Sequence, residues 1–233
     1  MIKAIFFDWF NTLACYEPPR EELHSHLLRE FGIEISPLDL MPGILAADKY
    51  FFTEGARSPV SKRNPEEQAK LYTHYANIML SEVGIEADNE LVLQIIKKWP
   101  QVFSRTQFAL FDDVLATLKT LKESKLILGL LTNATKDTIS IHRELGLELY
   151  LDFVVTSEEA KADKPNPSIF LLALERAGVS APEATHVGDQ YDLDVVGARG
   201  VGINPILIDR YNLYPEVNDC PRIHSLTELA QYL

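Results

Sequence analysis

The sequence predicts an α/β fold, a doubly wound parallel sheet interrupted once by an all-helical insert. Three observations predict it. Short apolar runs without polar alternation recur along the chain, as expected of strands buried on both faces. Helical patterns alternate with them, which implies parallel strands with helices on both sides of the sheet. The first run is separated from the others by residues 16–104, where helix starts and stops are plentiful and no convincing strand is present. That stretch is too long for a loop and reads as a second, helical domain.

The strand-like runs are 2–7 (IKAIFF), 125–131 (KLILGLL), 153–156 (FVVT), 184–187 (ATHV) and 204–209 (NPILID). Helical patterns occupy 111–123, 135–145, 167–177, 191–199 and 225–232. Within the insert, PPREELHSHLLREFG opens on Pro and closes on Gly, and the later segments are entered through Ser, Asn or Pro, all good helix boundaries. The predicted organisation is an α/β core of residues 1–15 and 105–233 with a helical cap of 16–104. Hinges are expected near 13–17 and 102–107.

Composition narrows the function. Hydrophobic residues make up 46% of the 233 residues and charged residues 24%, ordinary for a soluble globular protein. The net charge of −12 argues against nucleic acid and against an anionic membrane surface, both of which select basic proteins. The two cysteines, Cys15 and Cys220, have no metal-ligand spacing and form no disulfide framework, so a reducing cytoplasm is expected. The N-terminus lacks the pattern of a signal peptide, and no run is long enough to span a membrane. A monomer or homodimer acting on a small anionic substrate fits these limits.

In a doubly wound sheet, ligands bind at the carboxyl ends of the strands. Four predicted strand ends carry polar residues: Asp8 with Asn11 and Thr12; Thr132 and Asn133; Lys164 in KADKPNP; and Asp189, Asp192 and Asp194 in HVGDQYDLD. Taken singly, each is as well explained by a turn or a helix cap. Their order, each behind its own strand, makes chance a poor explanation. A nucleophile, hydrogen-bond donors, a cation and clustered carboxylates would converge at one edge.

This order resembles the haloacid dehalogenase-like hydrolase superfamily, in its helical-cap branch. The first motif of that family, D-x-D-x-T, is met by Asp8 and Thr12; the second, a Ser or Thr, by Thr132; the third by Lys164-Pro165; and the fourth by Gly188-Asp189 through Asp194. The resemblance implies a Rossmann-like core and Asp8 as covalent nucleophile. It implies Mg²⁺ held by Asp8, the Phe10 backbone carbonyl and Asp189, with Asp194 acting directly or through water. Lys164 would balance charge. Thr132 and the Asn133 backbone would hold the oxygens of the reacting group.

One position departs from the motif. Where family phosphatases carry a second Asp as general acid and base, this chain has Phe10. Such catalysis is typically worth ~10²–10⁴-fold. The favoured reading is therefore hydrolysis of a small phosphorylated metabolite with an activated leaving group. A 2-haloacid dehalogenase-type C–X hydrolase is an alternative, because that branch has an aromatic Tyr here. Against it, the Tyr that usually follows the motif-three Lys by six residues is Phe170, the fourth motif keeps its paired acids, and the early cap stretch EISPLDLMPG lacks the substrate-binding Arg. A relative that binds Mg²⁺ and an anion with little turnover is the third reading.

The basic cluster ARSPVSKR, with Arg57, Lys62 and Arg63, reads either as a solvated loop or as an anion-selecting element of the cap. His24 and His26 are two residues apart and make a poor metal pair. His186 reads as a core residue within its strand. Trp9 is expected to pack beneath the cap hinge, and Arg105 lies by the second crossing.

Overall fold

The computed structural model describes residues 1–104, 106–133 and 142–233. Arg105 and most of the helical pattern at 135–145 lie outside them. The chain divides into two compact units, Met1–Cys15 with Ala109–Leu233, and Tyr16–Phe108.

The first unit is built on a six-stranded sheet in the order β5-β4-β1-β6-β7-β8. Its strands are β1 (Ala4–Phe7), β4 (Ile127–Thr132), β5 (Phe153–Thr156), β6 (Ala184–Gly188), β7 (Asn204–Ile208) and β8 (Arg222–Ile223). All the pairings are parallel. The apolar runs fold this way because both faces are covered: all four residues of β1 and all five of β6 are buried. Helix α5 (Val114–Glu123) precedes β4, α6 (Ser157–Ala160) and α7 (Pro167–Ala177) follow β5, and α8 (Val196–Gly200) follows β6. Phe6, Ile169, Phe170, Leu131 and Val155 share one buried cluster. Gly129 on β4 admits Phe153, since a Cβ there would lie 2.5 Å from the ring.

β1 occupies the switch point. The chain runs from β1 outward to β4 and β5, then crosses back to β6 on the other side of β1 and continues outward to β7 and β8. Phe7 pairs with Leu130 of β4 and with Val187 of β6. The next residue, Asp8, therefore leaves the sheet at the crevice between diverging connections.

The predicted helix at 191–199 is composite. A π-helical turn, Tyr191–Val195, precedes α8. The terminal pattern at 225–232 forms a 3₁₀ segment, Leu226–Tyr232.

The second unit contains α1 (Arg20–Arg29), α2 (Pro37–Arg57), α3 (Pro65–Glu82) and α4 (Asn89–Phe103). Ser36, Asn64 and Asp88 accept hydrogen bonds from the first turns of α2, α3 and α4, capping orphan backbone donors. Leu27, Leu40, Ile44, Met79, Leu80 and Ile95 lie in its core. Gly43 lets α2 approach α3 closely, because a Cβ there would lie 2.1 Å from the Met79 carbonyl oxygen.

Two short strands escaped the sequence reading. β2 (Ala14–Glu17) and β3 (Gln107–Leu110) pair as a two-stranded sheet where the chain passes between the units. Each has four residues and mixed exposure, so neither presents a continuous apolar run.

Candidate active site

The turn after β1 is tightly wired. The Trp9 carbonyl accepts from the amides of Leu13 (2.9 Å) and Ala14 (3.0 Å), and the Asn11 amide donates to the Ala14 carbonyl (2.7 Å). Asn11 takes a left-handed backbone, φ 59°, a conformation that Asn tolerates better than most residues. Its side-chain amide then donates to Asp189 Oδ2 at 3.2 Å. Asp8 is anchored by its own amide, which donates to the Val187 carbonyl at 2.8 Å.

Lys164 is the hub. Its ammonium lies 2.5 Å from Asp8 Oδ1 and 2.7 Å from Asp194 Oδ1, and all three side chains are buried. Charge-assisted hydrogen bonds of this kind are the strong ones. The backbone of Lys164 is itself clamped by Asn133: the Lys164 amide donates to Asn133 Oδ1 (2.7 Å), and Asn133 Nδ2 donates to the Lys164 carbonyl (3.2 Å). The Asn133 side chain thus fastens Lys164, a contact that the sequence reading, which used only its backbone, did not include.

Asp194 is reached through a missing side chain. His186 and Gly188 lie two apart on β6 and face the same side. A Cβ on Gly188 would sit 2.2 Å from Asp194 Cγ, so the carboxylate occupies space that only Gly leaves free. There Asp194 Oδ1 meets His186 Nε2 at 2.9 Å, and Oδ2 accepts from the Gln190 amide at 3.1 Å. His186 is buried as expected, yet it braces the site rather than only filling the core. The spacing H-x-G ahead of the fourth-motif acids was the available signal.

Asp8, Asp189 and Asp194 can each place a carboxylate oxygen within 4.8 Å of the others. Among the described residues, three buried acids thus face a single ammonium. Burial, reinforced by Asp194 and opposed by Lys164, pushes the Asp8 carboxyl up. Burial and the charges of Asp8 and Asp194 push Asp189 well above the usual carboxylate range. Burial also opposes ionisation of Asp194, but Lys164 and His186 outweigh it and hold that carboxyl below the usual range. For Lys164, burial is outweighed by Asp194 and Asp8, and its affinity for the proton rises.

Asp189 Oδ1 is buried and has no hydrogen-bond partner among the described residues, and the same holds for Thr12 Oγ1. An orphaned carboxylate oxygen inside an acid cluster is a costly arrangement unless a cation completes it. Hard oxygen donors in excess of the local positive charge are the donor set suited to Mg²⁺. Thr132 is buried at the end of β4, next to Asn133. Phe10 is partly buried and bridges to Ala14. Trp9 packs edge-on against His142, with ring centroids 4.4 Å apart.

The basic cluster belongs to the second unit. Arg57 pairs with Glu54 at 2.9 Å, and Arg63 donates to the Ser58 carbonyl at 3.0 Å and the Glu54 carbonyl at 2.6 Å. Both arginines thus bind the end of their own helix, α2. Lys62 is exposed.

Residues 2–202 match the model of the haloacid dehalogenase-like hydrolase family. A ribulose-1,5-bisphosphate 5-phosphatase of Halopiger xanaduensis is 38% identical, over 90% of this chain and 85% of that one. A glyceraldehyde 3-phosphate phosphatase of Methanopyrus kandleri is 30% identical over the same shares. Two further curated relatives, from Danio rerio and Mus musculus, are matched over only about half of their length, whereas one from Homo sapiens is 30% identical over 100% of this chain and 92% of that one. Among solved structures, a 2-haloacid dehalogenase of Pseudomonas syringae is 29% identical with a TM-score of 0.58, over 99% of this chain and 97% of that one.

Proposed function

The chain belongs to the haloacid dehalogenase-like hydrolase family, and we propose that it hydrolyses a small phosphorylated metabolite with Asp8 as covalent nucleophile and Mg²⁺ as cofactor. One observation carries this reading: three buried carboxylates share one lysine, and Asp189 Oδ1 is left without a partner. Two relatives that bear the name of phosphatases support it.

Asp8, the Phe10 carbonyl and Asp189 would hold Mg²⁺, which when bound offsets the charge of the carboxylates and of the substrate phosphoryl group. Asp194 suits a contact through water, since both its oxygens already accept protein hydrogen bonds. Asp8 attacks phosphorus, the ester P–O bond breaks, and the leaving group departs with the bond's electron pair. Water then cleaves the aspartyl-phosphate and releases phosphate. Lys164 orients Asp8 and balances its charge. Thr132 and the Asn133 backbone amide would receive the non-bridging oxygens. The helical unit acts as the cap, and Arg57, Lys62 and Arg63 lend it positive charge for an anionic substrate.

Phe10 has no proton to give, so an alkoxide would have to leave unprotonated. Leaving groups already stable as anions, such as the carboxylate of an acyl phosphate, need no such proton. The same residue favours the second reading, a C–X hydrolase, because a halide also leaves without one, and a solved relative bears the name of a 2-haloacid dehalogenase. The deciding experiment is a hydrolysis screen of phosphate esters, acyl phosphates and 2-haloacids with and without Mg²⁺. Metal-dependent turnover of activated phosphates is expected; metal-independent dehalogenation would replace this reading with the second. Phe10→Asp, checked for folding, should raise turnover of unactivated monoesters by about 10²-fold or more, and of activated ones less.

A further inference from the structure

We infer that Arg210, which no motif of the site includes, is a positioning residue that sets the turn carrying the metal ligands; this rests on the metal-site reading above. Within the turn 9–14 the Trp9 and Ala14 carbonyls accept internal hydrogen bonds, whereas the Thr12 carbonyl does not. Arg210 supplies the missing donors: Nη2 donates to that oxygen at 2.8 Å and Nε at 3.3 Å. A buried carbonyl requires a partner, and here it has a cationic one.

The guanidinium is itself held on every side. Nη1 and Nη2 donate to the two oxygens of Asp113, each at 2.9 Å. Its Cζ stands 4.0 Å from the centroid of the Phe111 ring, a cation–π placement. Asp113 is fixed in turn by the Ser225 hydroxyl (2.7 Å) and the Leu226 amide (2.8 Å). Behind Arg210, buried Asp209 accepts from the amides of Leu213 (2.6 Å) and Tyr214 (2.9 Å) and from Arg222 (2.9 Å). The fork therefore projects from a braced turn at the end of β7 and grips the turn after β1.

The gripped carbonyl is one residue from Asn11, which holds Asp189, and two from Phe10, whose carbonyl is a proposed ligand. A turn released at Thr12 would leave both less well placed, and the loss would fall on metal affinity. Lysine at 210 keeps the charge facing Asp113 but lacks the planar fork that reaches two acceptors at once.

The test is direct binding of Mn²⁺, read by electron paramagnetic resonance of the free ion, expressed per folded protein. Wild type should bind one ion at the acid cluster. Arg210→Met should weaken binding at least tenfold and Arg210→Lys about fivefold, the latter serving if the Met variant does not fold. Arg199→Met, which removes an exposed pair with Asp219, should bind as wild type does. Affinities within twofold of wild type in both Arg210 variants would overturn the inference while leaving the metal site intact. Absence of Mn²⁺ binding in wild type would defeat the metal-site reading and the inference with it.

Discussion

Each unit buries an ionic cluster, and the two are built on opposite principles. In the helical unit, Arg20 pairs with Asp48, whose other oxygen accepts from the Tyr75 hydroxyl at 3.0 Å. One cation meets one anion, and His24 and Trp99 pack edge-on beside them. In the α/β unit, three acids meet one lysine among the described residues. A balanced buried pair is a structural element: its charges cancel, and breaking it leaves one of them uncompensated. An unbalanced cluster leaves excess negative charge that a bound cation would offset. The imbalance, rather than the burial, distinguishes a candidate site from a buried salt bridge.

Asp8→Asn should lower turnover to below about a ten-thousandth of wild type while leaving the fold intact, measured in material free of deamidation. Substantial activity in that variant would remove the nucleophile from the unbalanced cluster and with it the chemical half of the comparison.

Two matched substitutions address the remainder. Asp48→Asn should destabilise the protein by roughly 3–5 kcal/mol, as expected when one partner of a buried pair is removed. Added Mg²⁺ should still raise its unfolding midpoint, because the proposed ion site is the other cluster; at a hundred times its dissociation constant that is about 2.7 kcal/mol. Asp189→Asn should abolish most of this response at a smaller cost in stability. If Asp48→Asn lost the Mg²⁺ response and Asp189→Asn kept it, the assignment of the two clusters would be reversed.

A smaller effect concerns His24. Burial, and then the charge of Arg20, lowers its pKa from 6.5 to about 3. The unfolded chain then binds a proton that the folded one refuses, so stability falls as pH drops from 6.5 toward 3. His24→Phe should flatten the decline between pH 6.5 and 5, where few carboxylates titrate, as read from unfolding midpoints. An unchanged slope would mean that the helical cluster does not exclude the proton.

The architecture was legible in the residues because its signals are local. Uninterrupted apolar runs such as IKAIFF can be satisfied only between two covering layers, and Ser36, Asn64 and Asp88 mark helix starts by their own chemistry. The site was legible as far as each strand end announced a polar residue: Asp8, Thr132, Lys164 and Asp189 could be named without coordinates. Tertiary structure decided the wiring among them. That Asp194 lies in the space left by Gly188, that His186 braces it, that the Asn133 side chain fastens Lys164, and that Arg210 reaches Thr12 from 198 residues away all depend on which strands become neighbours. Strand order follows from the packing of the whole sheet. A hydrogen bond between residues far apart in sequence leaves no periodicity for a single chain to display.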